Sequence, residues 1–264
     1  MFATVLAIAL GLQQHSEPPT ETAARHPLTR VERSNLRARL QKQIASADSR
    51  LRQSSSDQTA VSERGDASFF LGKFADAVRD YDRMVELNPR IDRSHWQRGI
   101  ALFYAGQFDK ATAQFERYHS YDNVDRENGI WRYLCQRKSK GLRKARAGLL
   151  KYEKDDREPF PSVYKLFAGE MKPEQVLKSI ADAEISAVER DKRTFYAELY
   201  IGLNEVVENR PKSARSHLAK AVATKWPRTA GYGPNYMWHV GRVQLDLLDR
   251  RRRKNAAEKP DPSR

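Results

Sequence analysis

The chain has 264 residues, of which 39% are hydrophobic and 31% are charged, and its formal net charge is +14. This balance argues against one thick globular core and favours an elongated helical repeat protein with two broad solvated faces. The positive charge would suit an anionic partner, but the basic residues are spread among 34 acidic ones, which is typical of a solvated surface. The single cysteine, Cys135, excludes an intrachain disulfide.

The chain begins with an apolar run from Phe2 to Leu12. This run is long enough for a signal-peptide core and shorter than the roughly 20 residues of a membrane span. No basic residue precedes it and no A-x-A cleavage site follows it. Two alternatives therefore stay open: the run is a short N-terminal tail, or translation starts at a different residue. We expect a signal-peptide core at 1–12, a linker at 13–29 and export of the protein, with a cytoplasmic location as the alternative.

One amphipathic helix is predicted from about Arg30, because apolar residues recur at helical spacings between charged ones. The polar run from Ser54 to Asp57 ends it. This helix could cap a repeat array, or it could pair with a second copy of the chain in a homodimer. The apolar positions are Val31, Leu36, Leu40, Ile44 and Leu51.

Two copies of a 34-residue pattern follow, at residues 57–89 and 92–119. A period of this length is typical of stacked helical hairpins, in which small residues lie where two helices cross and aromatic side chains fill the space beside them. Gly72 and Gly106 are predicted to end the first helix of each hairpin, where a left-handed conformation favours glycine. The matched pairs are Gly65 with Gly99, Gly72 with Gly106, Phe74 with Phe108, Ala77 with Ala111 and Tyr81 with Phe115.

This pattern resembles the tetratricopeptide repeat (TPR), whose centre reads A-x3-F and which ends at a proline. Ala111-x3-Phe115 matches the centre, as its equivalent does in the first copy, and Pro89 follows the first copy. Arg64 and Arg98 stand where the family has leucine. The resemblance implies an all-α, right-handed helical solenoid of about five hairpins with a further helix at each end.

The later part of the chain repeats the pattern more loosely, and it recovers where Gly202 is followed by Pro211 and Ala214. The predicted repeat domain therefore spans residues 30–254. The later segments of this domain are divergent hairpins at 126–151 and 162–186, a recovered hairpin at 192–224 and a terminal helix at 235–253. A disordered tail is predicted after the domain, at 255–264.

The order of these segments resembles the bacterial TPR lipoprotein family called new lipoprotein I over about residues 57–248. Looser hairpins are followed by a closer TPR-like pair and a terminal helix. The resemblance implies a dimeric, membrane-tethered adaptor that brings cell-wall hydrolases and a periplasmic protease together. This chain departs from the family because no lipobox cysteine follows the N-terminal run, so a soluble protein of the periplasm or another extracytoplasmic space is expected.

In TPR arrays the first helices of successive hairpins line a concave groove, and the resemblance assigns groove positions by counting from the repeat glycine. The predicted groove is aromatic and apolar near its centre and binds a protein or peptide. Each aromatic residue could instead pack against the adjoining helix. Ser62 and Asp66 do not match the basic and amide residues of carboxylate-binding TPRs, so that clamp is not expected. The predicted groove residues are Ser62, Asp66, Phe69, Phe70, Arg93, Trp96, Ile100, Phe103 and Tyr104.

The sequence contains none of the common catalytic, cofactor or metal signatures: no H-E-x-x-H, cysteine cluster, G-x-S-x-G, Walker loop or G-x-G-x-x-G occurs. We therefore expect a non-catalytic adaptor or scaffold with no cofactor, metal or small-molecule substrate. The alternative function is nucleic-acid binding through the basic and aromatic residues near Arg132, Tyr133, Arg137 and Lys138. Salt distinguishes the two, because affinity for nucleic acid falls by orders of magnitude as salt rises.

Overall fold

The computed structural model describes residues 26–154 and 156–258, and these residues form an all-helical fold. Within these ranges there are twelve α-helices and two 3-10 helices, and no β-strand. The predicted signal-peptide core, the linker up to residue 25 and residues 259–264 lie outside the described residues. The helices are α1 Arg30–Gln53, α2 Gln58–Phe70, α3 Phe74–Leu87, α4 Trp96–Tyr104, α5 Phe108–His119, α6 Arg126–Lys140, α7 Leu142–Ala147, α8 Phe160–Ala168, α9 Pro173–Ala181, α10 Ala187–Val207, α11 Pro211–Ala223 and α12 Tyr232–Ala257, with 3-10 helices at Pro89–Ser94 and Trp226–Arg228.

The first helix, α1, begins at a complete capping box. The Thr29 hydroxyl accepts from the Glu32 amide, and the Glu32 carboxylate accepts from the Thr29 amide. Leu28 is buried, and His26 lies 3.4 Å from Asp246 of α12. The end of the predicted linker is therefore part of the fold. The burial of Leu28 and the contact of His26 with α12 hold these residues against the body, directly before the start of α1 at Arg30.

The hairpins α2–α3 and α4–α5 pack as the repeat pattern predicts. A Cβ atom on Gly99 would lie 2.6 Å from the Phe115 ring. A Cβ atom on Gly65 would lie 2.8 Å from the Tyr81 ring. Both rings are fully buried and have no room to move, so each crossing requires glycine. The same close approach recurs between α10 and α11, where a Cβ atom on Gly202 would lie 2.7 Å from a leucine side chain.

The turn inside each of the first two hairpins is left-handed at its glycine, as predicted. The φ angle is +77° at Gly72 and +76° at Gly106, a region in which most side chains are strained. Two hairpins 34 residues apart thus have the same turn geometry.

Three arginines at 34-residue intervals, Arg64, Arg98 and Arg132, connect neighbouring helices, and we call them the arginine ladder. Each one projects from the first helix of a hairpin and contacts one group 16 positions earlier and another 16 positions later. Because α1 supplies the earlier partner of Arg64, α1 occupies the place of a second helix from a preceding hairpin. The contacts are Arg64 with Asp48 (2.8 Å) and Asp80 (2.6 Å), Arg98 with Asp82 (2.6 Å) and Gln114 (2.8 Å), and Arg132 with Glu116 (2.8 Å) and the Gly148 carbonyl.

Two predicted helices end earlier than expected, and side chains from other elements donate to backbone carbonyls at or just beyond their ends. Helix α7 stops at Ala147 rather than near residue 151. In the loop that follows it, the Tyr164 hydroxyl donates to the Leu150 carbonyl at 2.7 Å. Helix α9 stops at Ala181 rather than near residue 185, and the Arg190 guanidinium donates to carbonyls at its C-terminal end. Both segments then continue as loops.

The last helix, α12, is longer than predicted at both ends. It begins at Tyr232, since Pro234 is tolerated in a first helical turn, and it continues to Ala257, which corrects the predicted start of the disordered tail at residue 255. It packs on α10 and α11 and also returns to the first hairpin. There Tyr236 stacks on Phe69 with ring centroids 5.4 Å apart.

Candidate ligand-binding cavity

A cavity of about 390 Å³ lies between the first helices of two hairpins and the later helices of the chain. Its walls come from α4, α5, α6, α10 and α12, from the loop before α8, and from the 3-10 helix at Trp226–Arg228. The lining residues are Trp96, Ile100, Phe115, Tyr118, Asp125, Glu127, Asn128, Trp131, Arg157, Lys192, Tyr196, Trp226, Gly233, Pro234 and Met237.

Three tryptophans form much of the apolar lining. Trp131 stacks on the Phe115 ring, and Trp226 contacts the Tyr196 ring with centroids 6.0 Å apart. Trp96 packs edge-on against Tyr236 of α12 at 4.9 Å. Trp131 is buried, whereas Trp96 and Trp226 are half-buried and so accessible from solvent. The lining therefore combines fixed rings with two rings that an incoming ligand can contact.

A cluster of charged groups lies on one side of the cavity. The Arg157 guanidinium contacts the carboxylate of Glu127, and it lies 3.1 Å from Asp156 and 3.9 Å from Asp125. It also lies over the Phe160 ring, 4.4 Å from the centroid. One cation thus serves three carboxylates. Of the three carboxylates, that of Asp125 lies farthest from the Arg157 guanidinium.

Burial dominates the protonation of this cluster. It raises the pKa of Glu127 to about 7, and Arg157 opposes this only in part. Burial also raises the pKa of Asp125, again against Arg157. Although burial alone would lower the pKa of Arg157, the carboxylates of Glu127, Asp156 and Asp125 raise it above its ordinary value. The guanidinium therefore keeps its charge, and Glu127 exchanges its proton near neutral pH.

The side chain of Asn128 is the least satisfied polar group of the cavity. It is 3% exposed, and neither its amide nitrogen nor its amide oxygen has a hydrogen-bond partner. The Tyr152 hydroxyl lies beside the Asn128 amide and donates to the Asp125 carbonyl at 3.0 Å. A buried amide without partners costs about 1–3 kcal/mol.

Two of the nine predicted groove residues, Trp96 and Ile100, line the cavity. Three others, Asp66, Phe69 and Phe70, are buried where α12 returns to the first hairpin. Any ligand that reaches these three must displace α12. The predicted groove is thus filled at the first hairpin by the chain itself and is accessible further along.

The remaining predicted groove residues lie outside the cavity. Phe103 and Tyr104 join an aromatic cluster, in which Phe103 contacts Trp131 at 5.6 Å and Tyr104 contacts the ring of Phe69 at 5.3 Å. Ser62 is half-buried on α2, and Arg93 is exposed in the 3-10 helix before α4. The structure does not bring Ser62 or Arg93 to the cavity.

Asp66 anchors α12 from inside the first hairpin. Its carboxylate accepts from the hydroxyls of Tyr81 (2.6 Å) and Tyr232 (2.8 Å), and the hydroxyls of Tyr81 and Tyr236 lie 3.1 Å apart. Burial raises the pKa of Asp66 to about 6, against the lowering effect of the two hydroxyl donors. A residue predicted to contact a ligand instead holds the last helix.

Several cavity residues were not predicted. Glu127 carries a signal in the sequence, since it stands 34 positions after Arg93, and one further step along the repeat would have indicated it. Arg157 carries none, because it lies on the loop before α8 and its position depends on tertiary packing. Trp226 likewise comes from a connection between helices.

Two observations concern metal binding and thiol reactivity among the described residues. No group of three or more His, Cys, Asp or Glu side chains there could hold a metal ion. Cys135 is buried, and burial raises the pKa of its thiol, which disfavours the reactive thiolate.

No protein-family model matches the sequence. The resemblance to TPR proteins therefore depends on the repeat positions themselves. Over residues 26–154 and 156–258, no helix combines the length and the apolar character that crossing a bilayer requires.

Proposed function

We propose that this chain is a TPR-like right-handed helical solenoid and a non-catalytic adaptor that binds a protein or peptide in the cavity. The observation that carries the proposal is the cavity itself. It joins the accessible rings of Trp96 and Trp226 to a buried, unpartnered amide at Asn128. Its volume lies within the range of ligand pockets, about 300–1,000 Å³. The regular contacts of the arginine ladder support the repeat architecture.

The ligand in this proposal is a short extended segment rather than a helix. Helix α12 already covers the first hairpin through Tyr236, so the accessible part of the groove is limited to the region between α4, α6 and α10. Aromatic side chains in such a setting are the usual energetic centre of an interface. The half-buried Trp96 is the residue on which we expect binding to depend most.

We further propose that the protein is exported and acts in the cell envelope, as the new lipoprotein I resemblance implies. The support is the apolar run from Phe2 to Leu12 and the order of the hairpins along the chain. A homodimer through α1 belongs to the same proposal. Val31 on this helix is exposed and available for such a contact.

The adaptor proposal is tested by capture of partners from cell envelopes with wild type and Trp96→Ala, quantified by mass spectrometry. Truncation of a central interface aromatic commonly costs about 2 kcal/mol or more, so capture should fall at least tenfold. Arg79→Met is a surface control that should leave cavity binding unchanged, because Arg79 is 72% exposed and does not line the cavity. Equal capture by Trp96→Ala and wild type, with both proteins folded by circular dichroism, would show that the cavity is not the binding site.

Three of the four residues suggested for nucleic-acid binding are engaged within the fold, and the fourth, Lys138, is exposed. Arg132 belongs to the arginine ladder, Tyr133 is buried, and Arg137 is paired with Glu208 at 2.7 Å. Binding to nucleic acid would nevertheless be recognisable, since about 10³–10⁵ in affinity is lost between 50 and 200 mM salt when several phosphates are contacted.

A further inference from the structure

The charges of the cavity are unevenly matched. Arg157 is already shared by three carboxylates, and Lys192 is paired with Glu189 at 3.2 Å. Neither cation is free to receive a ligand anion. Asp125, by contrast, lines the cavity with its closest Arg157 nitrogen 3.9 Å away. The close hydrogen-bond donors to the Asp125 carboxylate, the Glu127 amide and the Tyr118 hydroxyl, are both neutral, so its negative charge is the least compensated of the three.

The aromatic lining suits the same kind of ligand. Trp96, Trp131 and Trp226 line the same cavity as this carboxylate. A cation near tryptophan rings is attracted by their negative faces, and the methylene stem of a long basic side chain packs well against them.

Asn128 points to a ligand independently of the charges. Asn128 is one of the residues that line the cavity, it is only 3% exposed, and neither atom of its amide has a hydrogen-bond partner. Primary amides of this kind can hydrogen-bond both a backbone N–H and a backbone carbonyl, which an extended peptide offers together.

We infer that the cavity recognises a lysine or arginine side chain of an extended peptide. Asp125 pairs with the cationic head, the three tryptophans surround its stem, and Asn128 bonds the peptide backbone. This inference rests on the proposed function and specifies the chemistry of its ligand.

The probe is a displayed library of random dodecapeptides, selected against the full chain. Enriched peptides should share a lysine or arginine. An enriched peptide is then synthesised with that residue intact, or with norleucine replacing lysine or citrulline replacing arginine. The neutral form should bind at least about tenfold more weakly, because it keeps the carbon stem of the side chain and loses its charge.

Matched variants of the protein locate the charge partner. Asp125 caps α6 by accepting from the Glu127 amide, and asparagine is an equally good cap, so Asp125→Asn removes charge with the helix start intact. Asp122 accepts from two backbone amides nearby and does not line the cavity. Asp125→Asn should weaken binding of the cationic peptide about tenfold. Asp122→Asn should change the affinity for that peptide by less than about twofold. Asn128→Leu should weaken both the cationic and the neutral peptide.

The outcomes separate the two levels of the proposal. If Trp96→Ala does not weaken the enriched peptides, or no peptide is enriched, the peptide-binding function of the cavity fails and this inference with it. If the peptides depend on Trp96 but bind equally well in neutral form, or bind Asp125→Asn as tightly as wild type, only the preference for a cation is overturned. Enrichment of acidic peptides would overturn it as well.

Discussion

Asp66 combines a buried carboxylate with hydrogen bonds to Tyr81 and Tyr232, and its pKa of about 6 links the docking of α12 to pH. An exposed aspartate has a pKa of 3.8. The folded state therefore holds this proton more tightly than the unfolded state. The resulting stabilisation is complete below pH 4 and is lost as the pH rises through 6.

We expect Asp66→Asn to remove this loss. From pH 4 to pH 7, the free energy of unfolding of the variant should gain on that of wild type by about 2 kcal/mol. Urea denaturation at a series of pH values measures it. Burial lowers the pKa of His95 to about 4, which acts in the opposite direction, but His95 is present in both proteins and cancels. The exposed Asp191→Asn is the control, and a difference independent of pH would contradict the assignment.

Asn128 leads to a second prediction at this scale. Leucine has a similar size and no unmet hydrogen bonds, so Asn128→Leu should raise the free energy of unfolding by about 1–2 kcal/mol. Asn128→Asp is the matched opposite change, because it adds a charge beside Asp125 and Glu127, and it should destabilise the protein. Thermal melts of both variants provide the measurement. A lower melting temperature for the leucine variant would mean that the amide is satisfied in solution.

At the scale of helices, the arginine ladder predicts unequal effects for two nearby arginines. Arg64 bridges to the buried Asp80, whose side chain is 8% exposed, whereas Arg79 is 72% exposed and pairs with Asp76 within one helix. Arg64→Met leaves a buried carboxylate without its partner and should cost about 2–4 kcal/mol. Arg79→Met should cost less than about 0.5 kcal/mol. Similar midpoints of chemical denaturation for the two variants would exclude a structural role for the ladder.

The same scale shows what the sequence could and could not predict. The first two hairpins were predictable because glycine–ring contacts such as Gly99 with Phe115 recur with a fixed spacing, so local pattern and packing agree. The early end of α9 was not predictable, because the contact of Arg190 with carbonyls at that end comes from the next helix. For the cavity, the periodic Trp96 was predictable, whereas the loop residue Arg157 depends on contacts with no periodic signal.

At the scale of the whole molecule, α12 connects the last hairpin to the first. Repeat proteins whose units contact only their neighbours can unfold in parts. Here Tyr236 is buried against Phe69, Phe70 and Trp96, and Arg242 donates to the Phe70 carbonyl. We therefore expect one cooperative unfolding transition for residues 26–258.

Tyr236→Ala tests this closure. Loss of a buried ring should cost about 3–5 kcal/mol and release α12 from α2, so that tryptophan fluorescence and far-ultraviolet circular dichroism no longer report the same midpoint. Tyr236→Phe keeps the ring and loses only the contact with the Tyr81 hydroxyl, so it should stay within about 1.5 kcal/mol of wild type with coincident transitions. Coincident transitions in the alanine variant would mean that α12 does not couple the two ends.

The return of α12 to the first hairpin also determines when that hairpin can be covered during synthesis of the chain. The bond between Arg242 and the Phe70 carbonyl joins positions 172 residues apart. At about 5–20 residues per second, a ribosome needs roughly 10–30 s to make the segment between them. Throughout that interval Phe70 lacks the cover that Tyr236 and His239 of α12 later provide. A chaperone that binds exposed aromatic surface would therefore meet this protein during synthesis, and it would be displaced only after Tyr236 has emerged.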